Sequence, residues 1–235
     1  VLKAVRNING IIAPALIGYD VTDQRGIDRK MIELDGTDNK SNLGANAILA
    51  VSIACLRAGA VARKLRFYEY VAELSGKPAN EPYTMPIPLI NVLNGGKHAI
   101  GSSDFQEYMI VPVGAPTFAE ATRWAAETFH ELKNIIRERG WPTTVGDEGG
   151  YAPPVESNEE PLKLIMEALE RVGHTPGEDV AIALDLAASE VYHDGKYHLT
   201  KEGLALTSAE MVDLLLDWIE RYPIVSIEDG LDEED

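Results

Sequence analysis

The stretch "NEEPLKLIMEALERVGHTPGEDVAIALD", residues 158–185, joins a helix pattern to a strand pattern. After Asn158, apolar side chains recur at the spacing of one buried helix face: Leu162, Ile165, Met166, Leu169 and Val172. The run "VAIAL" then predicts a buried strand that is closed by Asp185. A one-faced helix leading into a short apolar strand, when repeated, is typical of a parallel α/β sheet or barrel.

The same pattern of short apolar strands and one-faced helices continues on both sides of this stretch. Strands are predicted at "PLINVLN" (88–94), "EYMIVPV" (107–113), "TTV" (143–145) and "IVSIE" (224–228), with helices between several of them. Two helix starts fit the capping box, Thr117 with Glu120 and Thr207 with Glu210. No GxGxxG segment follows a strand and no Walker-type lysine loop occurs, so dinucleotide-binding and P-loop readings lose support.

Residues 1–73 have a different pattern, which predicts mainly helices. Helices are predicted over "IDRKMIELD", over the Ala-rich run 45–62 and over "RFYEYVAEL". The run 45–62 is apolar, but polar residues interrupt it and its alanines are weakly hydrophobic, which favours a packed helix over a membrane span. Four prolines in residues 75–89 indicate a connector between domains. We therefore predict one domain over 1–82 and a second over 83–235.

Composition restricts the possible partners. The formal charge of −17 and the absence of a Lys/Arg cluster argue against nucleic acid and against anionic membrane surfaces. An anionic substrate would therefore need a recruited cation, and a divalent metal held by carboxylates is the simplest one. The single cysteine, Cys55, cannot form an intrachain disulfide, which indicates a reducing, cytoplasmic compartment and a structural thiol rather than a nucleophile.

Acidic residues stand at the ends of the predicted strands. Asp185 and Glu228 each close a strand, and Glu148 follows "TTV" with two residues between. Carboxyl ends of parallel strands face a common crevice, so these three acids should converge, and oxygen-only ligands of this kind suit Mg²⁺. The alternative is that Asp185 caps the following turn and Glu228 pairs with an Arg or Lys.

Two loops add polar residues to the same rim. His98 follows one predicted strand, and Gln106 and Glu107 begin the next, although a loop histidine and an edge strand's polar face are ordinary surface features. In "TVGDEGGYAPP", residues 144–154, glycines flank Asp147 and Glu148. Such a loop must turn sharply or let something approach its backbone closely, or it is simply a solvated turn.

Six segments together resemble the signature segments of the enolase family, the phosphopyruvate hydratases, in the same order. They are "SNLGANAILAVSIA", "NVLNGGKHA", "DFQEYMIVPVGA", "VGDEGGYAP", "ALDLAASEVY" and "YPIVSIEDGLDEED". The resemblance covers essentially the whole chain. It implies an α/β fold: the helical part of an enolase-type N-terminal capping domain, then the first half of a TIM-like α/β barrel whose early strands include an antiparallel one.

The resemblance also implies a function. Enolases are Mg²⁺-dependent lyases that reversibly dehydrate 2-phosphoglycerate to phosphoenolpyruvate in glycolysis and gluconeogenesis, with cations stabilising the developing ene-diolate. Asp185 and Glu228 match two of the three magnesium carboxylates. Glu148 matches the acid that assists departure of the hydroxyl, and Glu107 supports it. His98, Glu107 and Gln106 match substrate-site residues.

Other parts of the family's site have no match in this sequence. The resemblance places the third metal carboxylate, the base lysine, the His-Arg-Ser segment, the second substrate lysine and the N-terminal serine loop outside it, and neither Lys196 nor Lys201 has the matching context. We expect a longer natural enolase that forms a homodimer or larger homo-oligomer, with this portion alone inactive. Alternatives are another lyase of the superfamily and a non-catalytic fragment or moonlighting binding protein.

Overall fold

A computed structural model describes residues 1–78 and 81–235. The chain forms two compact units, Val1–Tyr83 and Thr84–Asp235. Residues 79 and 80, inside the predicted proline-rich connector, lie outside the described residues.

The first unit is helical. A first helical segment comprises α1 (Leu2–Asn7), a π-helical turn (Ile8–Ile12) and α2 (Ala13–Leu16). The predicted helices follow as α3 (Gln24–Asp35), α4 (Ala45–Ala62) and α5 (Phe67–Leu74). Side chains from the π-helical turn, α3, α4 and the loop before α4 form its core: Ile12, Ile27, Met31, Leu43, Ala47 and Ile48.

Helix α4 is both long and apolar. By length and composition it could cross a membrane, a test that core helices of globular proteins also pass. Ala47 and Ile48 are buried in the core of the unit, whereas Leu49 and Val61 are exposed. Cys55 is half-buried in this helix, and burial raises the pKa of its thiol, with the nearby charge of Asp28 adding to the effect. A protonated thiol is a poor nucleophile.

The second unit is built on a four-stranded sheet in the order β1-β2-β3-β7. These strands are β1 (Ile90–Asn94), β2 (Glu107–Val111), β3 (Ala181–Asp185) and β7 (Ile224–Glu228). Strand β2 is antiparallel to both β1 and β3, and β3 and β7 are parallel. Helices α6 (Phe118–Glu138) and α7 (Glu160–Val172) lie between β2 and β3 in the chain, and α8 (Ser208–Arg221) precedes β7. The α/β prediction with an antiparallel early strand is thereby confirmed.

The two faces of this sheet carry separate apolar clusters. Large residues such as Tyr108, Ile110 and Leu184 belong to the main core with the three helices. The other face carries a smaller cluster that includes Ala181 and Ala183. Successive side chains of a strand point to opposite faces, so Glu107 and Asp185 share the face of this smaller cluster.

Two local predictions need correction. "TTV" is not a strand: within residues 143–145 only Val145 forms a bridge, an isolated antiparallel one to Tyr151. Thr207 and Glu210 form the predicted capping box. At Thr117 only half of the box exists, because the Glu120 carboxylate binds Arg123 instead of returning to the Thr117 N–H.

A second sheet was not predicted. Strands β4 (Tyr192–His193), β5 (Lys196–Leu199) and β6 (Leu204–Leu206) form an antiparallel meander between β3 and α8. Its first turn is Asp194-Gly195, and both residues have positive φ, 53° and 74°. An Asp-Gly pair is a strong sequence signal for such a two-residue hairpin turn.

Glu159, the residue just before α7, binds side chains at the end of α8. Its carboxylate accepts hydrogen bonds from Tyr222 Oη at 2.6 Å and from Arg221, and Lys163 Nζ lies 3.1 Å away. Burial alone would raise the pKa of Glu159, but these contacts outweigh it and lower the pKa to about 2. The charged form therefore stabilises the fold.

We expect Glu159→Gln to reduce the free energy of unfolding at pH 7 by about 1–2 kcal/mol, because charge-assisted hydrogen bonds are lost. The folded pKa lies below the unfolded value of about 4.3. The stabilisation is therefore fully present above that value and is lost as the pH falls towards about 2.

Urea unfolding of both proteins between pH 7 and pH 3 measures this difference. Glu127→Gln is the control, because Glu127 makes an exposed pair with Arg123 on the same helix. If Glu127→Gln lost as much free energy of unfolding as Glu159→Gln, the stabilising role of the charged Glu159 would be contradicted.

Candidate active site

Three carboxylates and one amide form a row across the main sheet. Asn94 is the register partner of Glu107, Glu107 of Asp185, and Asp185 of Glu228. Directly paired residues on neighbouring strands have Cβ atoms about 4.5–5.5 Å apart and share one face. Asp185 and Glu228 are therefore neighbours on the same side of the sheet, as predicted.

Strand direction explains why Glu107 belongs to this row. The row lies at the carboxyl ends of β1, β3 and β7 but at the amino end of β2, because β2 runs antiparallel to its neighbours. Glu107 is the first residue of its strand, whereas Asp185 and Glu228 are the last of theirs.

The backbone after each metal-ligand candidate is tightly constrained. Ala187, two residues after Asp185, and Asp229, next to Glu228, have positive φ values of 48° and 45°. The Leu186 N–H donates to Glu228 O at 3.1 Å, and the Ala188 N–H donates to Asp229 O at 2.9 Å. Left-handed non-glycine residues persist only where their surroundings fix them, and they cluster at functional sites.

Asp185 uses its two carboxylate oxygens differently. Oδ1 accepts from the Ala187 N–H at 3.0 Å, and Oδ2 accepts from Gln106 Nε2 at 3.2 Å. Asp185 therefore does cap the turn that follows it, as the alternative interpretation stated, but only through Oδ1. Its other oxygen, Oδ2, contacts the site residue Gln106. The alternative for Glu228 finds no support, since no Arg or Lys in the described part of the chain forms an ion pair with it.

The glycines around Glu148 allow its loop to lie directly against β1. The Gly150 N–H donates to Asn94 Oδ1 at 2.8 Å. The backbone of Tyr151 pairs with β1 on both sides of Leu93: its N–H donates to Val92 O, and its carbonyl oxygen accepts from the Asn94 N–H. A Cβ on Gly150 would lie 2.7 Å from Asn94 Oδ1, and one on Gly146 would lie 2.9 Å from His98 O. The structure therefore shows the close backbone approach that was one of the alternatives open from the sequence.

Glu148 is brought to His98 by this loop. His98 Nε2 lies 3.5 Å from Glu148 Oε1, and Asn91 Nδ2 donates to Glu148 Oε2 at 3.4 Å. The two side chains of the His98–Glu148 pair are partly exposed, at 27% and 34%. Asp147 is exposed, and its N–H donates to His98 O at 3.4 Å. Asp147 therefore helps to connect the two loops through its backbone.

Asn91 was not identified from the sequence. Strict alternation would place Asn91 and Asn94 on opposite faces of β1, but the register shifts between Asn91 and Leu93. Asn91 pairs with Met109 and Asn94 with Glu107, and both partners are on the face of the smaller apolar cluster. The irregularity therefore turns both asparagines towards the row, and Asn91 Oδ1 is buried without a hydrogen-bond partner in the described residues.

Negatively charged side chains surround Glu107. Burial is the largest cause of a pKa well above the usual carboxyl range, followed by a hydrogen bond with Glu148 and by the charges of Glu148, Asp185 and Glu228. A hydrogen bond between two carboxyl groups requires a proton on one of them. Glu107 and Glu148 can therefore hold one proton between them.

The pKa of Asp185 is also affected by burial and by neighbouring negative charges. Burial raises its pKa, and the charges of Asp229 and Glu148 add to this, while hydrogen bonds from Ala187 and Gln106 oppose it. The ion pairs that Arg and Lys form in the described residues do not include any carboxylate of the row or Glu148. A cation would relieve this repulsion.

The donor set fits Mg²⁺ in part. Among the described residues, no group of three or more Asp, Glu, His or Cys side chains is arranged to hold a metal ion by itself. Asp185 and Glu228 supply two adjacent oxygen donors, and Mg²⁺ is commonly held by one or two carboxylates together with water and substrate oxygens. The two residues can therefore be part of a magnesium site that other groups complete.

The role of Gly150 can be tested by adding one carbon. We expect Gly150→Ala to lower the free energy of unfolding by about 1–3 kcal/mol, because the new Cβ would overlap Asn94, Asn91 and the backbone of Leu93. Gly10→Ala is the control, since a Cβ there meets nothing within 4 Å and Ala favours a helix. Chemical denaturation compares the two, and equal stability of both variants would mean that the loop does not need a glycine.

Two family models match the chain. The model described as "Enolase, N-terminal domain" matches residues 1–71, and "Enolase, C-terminal TIM barrel domain" matches residues 82–235. Together with the sheet order and the carboxylate row, these matches define an enolase-superfamily lyase. The chain belongs to the enolase family.

Proposed function

We propose that the protein catalyses the Mg²⁺-dependent, reversible dehydration of 2-phosphoglycerate to phosphoenolpyruvate. The observation that carries the proposal is the placement of Glu107, Asp185 and Glu228 in one row, with the His98–Glu148 pair supplied by adjacent loops. Family membership supports the same chemistry.

Dehydration of this substrate breaks two bonds. A base takes the proton from the carbon next to the carboxylate, and the hydroxyl on the following carbon leaves as water. The leaving oxygen needs a proton, since hydroxide is a poor leaving group. In our proposal Glu148 supplies it, giving up the one proton that it shares with Glu107 so that both carboxylates are left ionised, and His98 contacts the leaving group. We assign the carbon-bound proton to a base outside this set.

The carboxylates at the other end of the row have a different role. Asp185 and Glu228 would hold Mg²⁺, and Gln106, which already contacts Asp185, would orient polar groups of the substrate. When bound, the cation supplies Lewis-acid stabilisation of the negative charge that develops on the substrate carboxylate. In the protein itself, Ala187 and Asp229 keep the two ligands in place through their constrained backbone.

Phosphoenolpyruvate formation tests the proposal directly. The natural full-length polypeptide is given 2-phosphoglycerate, and product is followed by its ultraviolet absorbance with Mg²⁺, after EDTA, and after Mg²⁺ is restored. We expect turnover with Mg²⁺, loss of turnover after EDTA, and recovery of turnover when Mg²⁺ is restored. Dehydration of a different hydroxycarboxylate in place of 2-phosphoglycerate would indicate another superfamily lyase, and binding without turnover of any such acid would indicate a non-catalytic protein.

We also propose a cytoplasmic homodimer or larger homo-oligomer. The single cysteine and the absence of any possible intrachain disulfide support a reducing compartment. Light scattering on the purified full-length protein gives the number of subunits, and a monomer at working concentration would contradict the second part of the proposal.

A further inference from the structure

Asn158 is the most completely buried polar residue near the site that the proposed chemistry does not use. It lies just before α7, and its exposed fraction is 0%. A buried amide is costly unless its donors and acceptors are all paired. The partners of Asn158 therefore indicate what it holds.

The side chain of Asn158 binds two other segments. Oδ1 accepts from Ser103 Oγ at 2.9 Å and from the Asp104 N–H at 2.8 Å. Nδ2 donates to Asp104 Oδ2 at 2.8 Å and to Glu202 Oε2 at 2.7 Å. Both partners of Nδ2 are carboxylates, which only accept, so the orientation of the amide is fixed by its surroundings.

Residues 200–202 close the network from the other side. Asp104 also accepts from the Lys201 N–H at 3.0 Å and from Thr200 Oγ1. Lys201 Nζ donates to Gly101 O and Val155 O, each at 2.9 Å. Asp104 is therefore bound by Asn158 on one side and by the turn between β5 and β6 on the other.

This network bears on the loop between β1 and β2, residues 95–106, which carries His98. The loop begins with two glycines, and a Cβ on Gly95 would lie only 2.5 Å from Ser103 O, so the two arms of the loop touch. The Gly96 N–H donates to Ser103 O at 2.8 Å. The arm that Asn158 holds is thus bonded directly to the arm that leads into His98.

We propose that Asn158 is a positioning residue for the reaction, a role that rests on the proposed function. It contacts neither His98 nor Glu148. By fixing Ser103 and Asp104, it keeps the glycine-rich loop in the one arrangement in which His98 faces Glu148.

Two substitutions at this position separate shape from hydrogen bonding. Asn158→Ala removes every side-chain contact, and Asn158→Asp keeps the shape but replaces the donor with an oxygen that faces two carboxylates. We expect both to lower kcat at least tenfold, to leave the magnesium midpoint within about twofold, and to raise amide hydrogen exchange in residues 95–106 at least tenfold.

Thr128→Val is the matched control. Thr128 is also fully buried, and its hydroxyl donates to Trp124 O at 2.9 Å within α6, away from the loop. It should lower stability without changing kcat or exchange in residues 95–106. If both Asn158 variants fail to fold, Ser103→Ala removes the Ser103 Oγ bond to Asn158 together with those to Tyr108 Oη and the Phe105 N–H, and it should shift the same two readouts in the same direction by a smaller factor.

Three results would overturn the proposal. They are a wild-type kcat in Asn158→Asp, unchanged exchange in residues 95–106, and a kcat loss in Thr128→Val that equals that of Asn158→Ala. If the unsubstituted protein forms no phosphoenolpyruvate, the proposed function fails by itself. The exchange comparison then decides whether Asn158 orders the loop.

Discussion

Glu148→Gln slows phosphoenolpyruvate formation by about 10²–10⁴-fold, the range expected when a positioned general acid is lost. Glutamine has nearly the same shape, so its amide can still lie beside His98 and Asn91. It has no acidic proton to give to the leaving oxygen. The magnesium midpoint should stay within about twofold, because Glu148 is not among the proposed ligands.

Asp147→Asn is the control for this result. Asp147 is the neighbouring acid of the same loop, it is exposed, and its contact with His98 is made by the backbone. Turnover close to that of the unsubstituted protein is expected. Near-normal turnover in Glu148→Gln would remove Glu148 from the proton-transfer role, whereas an equal loss in both variants would indicate only a disturbed loop.

Asp185→Asn weakens magnesium binding by about ten- to a hundredfold, because the site loses one of two formal negative charges. Asparagine keeps an oxygen that can accept from the Ala187 N–H, so the turn after β3 should survive. Isothermal titration calorimetry with Mg²⁺ measures the change, and activity at saturating Mg²⁺ should recover in part.

Asp213→Asn provides the comparison for this second result. Asp213 is an exposed residue of α8, and its removal changes the net charge of the chain by the same amount. Its magnesium affinity should be unchanged. An unchanged affinity in Asp185→Asn would exclude Asp185 from the ligand set, and equal weakening in both variants would indicate a general electrostatic effect.

Strand ends were the part of the site that sequence could predict. Asp185 and Glu228 each follow an apolar run, and the β3–β7 pair is parallel, so both acids reach one edge of the sheet. We placed Glu107 at the same edge from the sequence, although the first residue of a strand lies at the opposite edge when all strands are parallel. Only the family resemblance supplied the antiparallel direction of β2, and the structure shows its consequence.

Other features depend on contacts that no local pattern encodes. The register shift in the β1–β2 pair breaks the alternation between Asn91 and Asn94, and the apolar pattern of β1 carries no signal for it. "TTV" has β-propensity but forms a single bridge, because the chain turns at once to place Gly146 and Gly150 against β1. Tertiary contact overrides local propensity at both positions.

The network around Asn158 illustrates the same limit. In the sequence, Asn158 is an ordinary polar residue before an amphipathic helix. Its partners Asp104 and Glu202 lie 54 and 44 residues away. In contrast, the Asp194-Gly195 turn carried a local signal for the small sheet, so this element could have been predicted from the sequence.

Anomalous diffraction from crystals of the full-length protein soaked in Mn²⁺, a cation that can replace Mg²⁺ at oxygen sites, shows whether Asp185 and Glu228 bind one divalent cation together. We expect a peak within about 2.0–2.3 Å of carboxylate oxygens of both residues. A peak bound elsewhere, with these two side chains uninvolved at saturating Mn²⁺, would contradict this expectation.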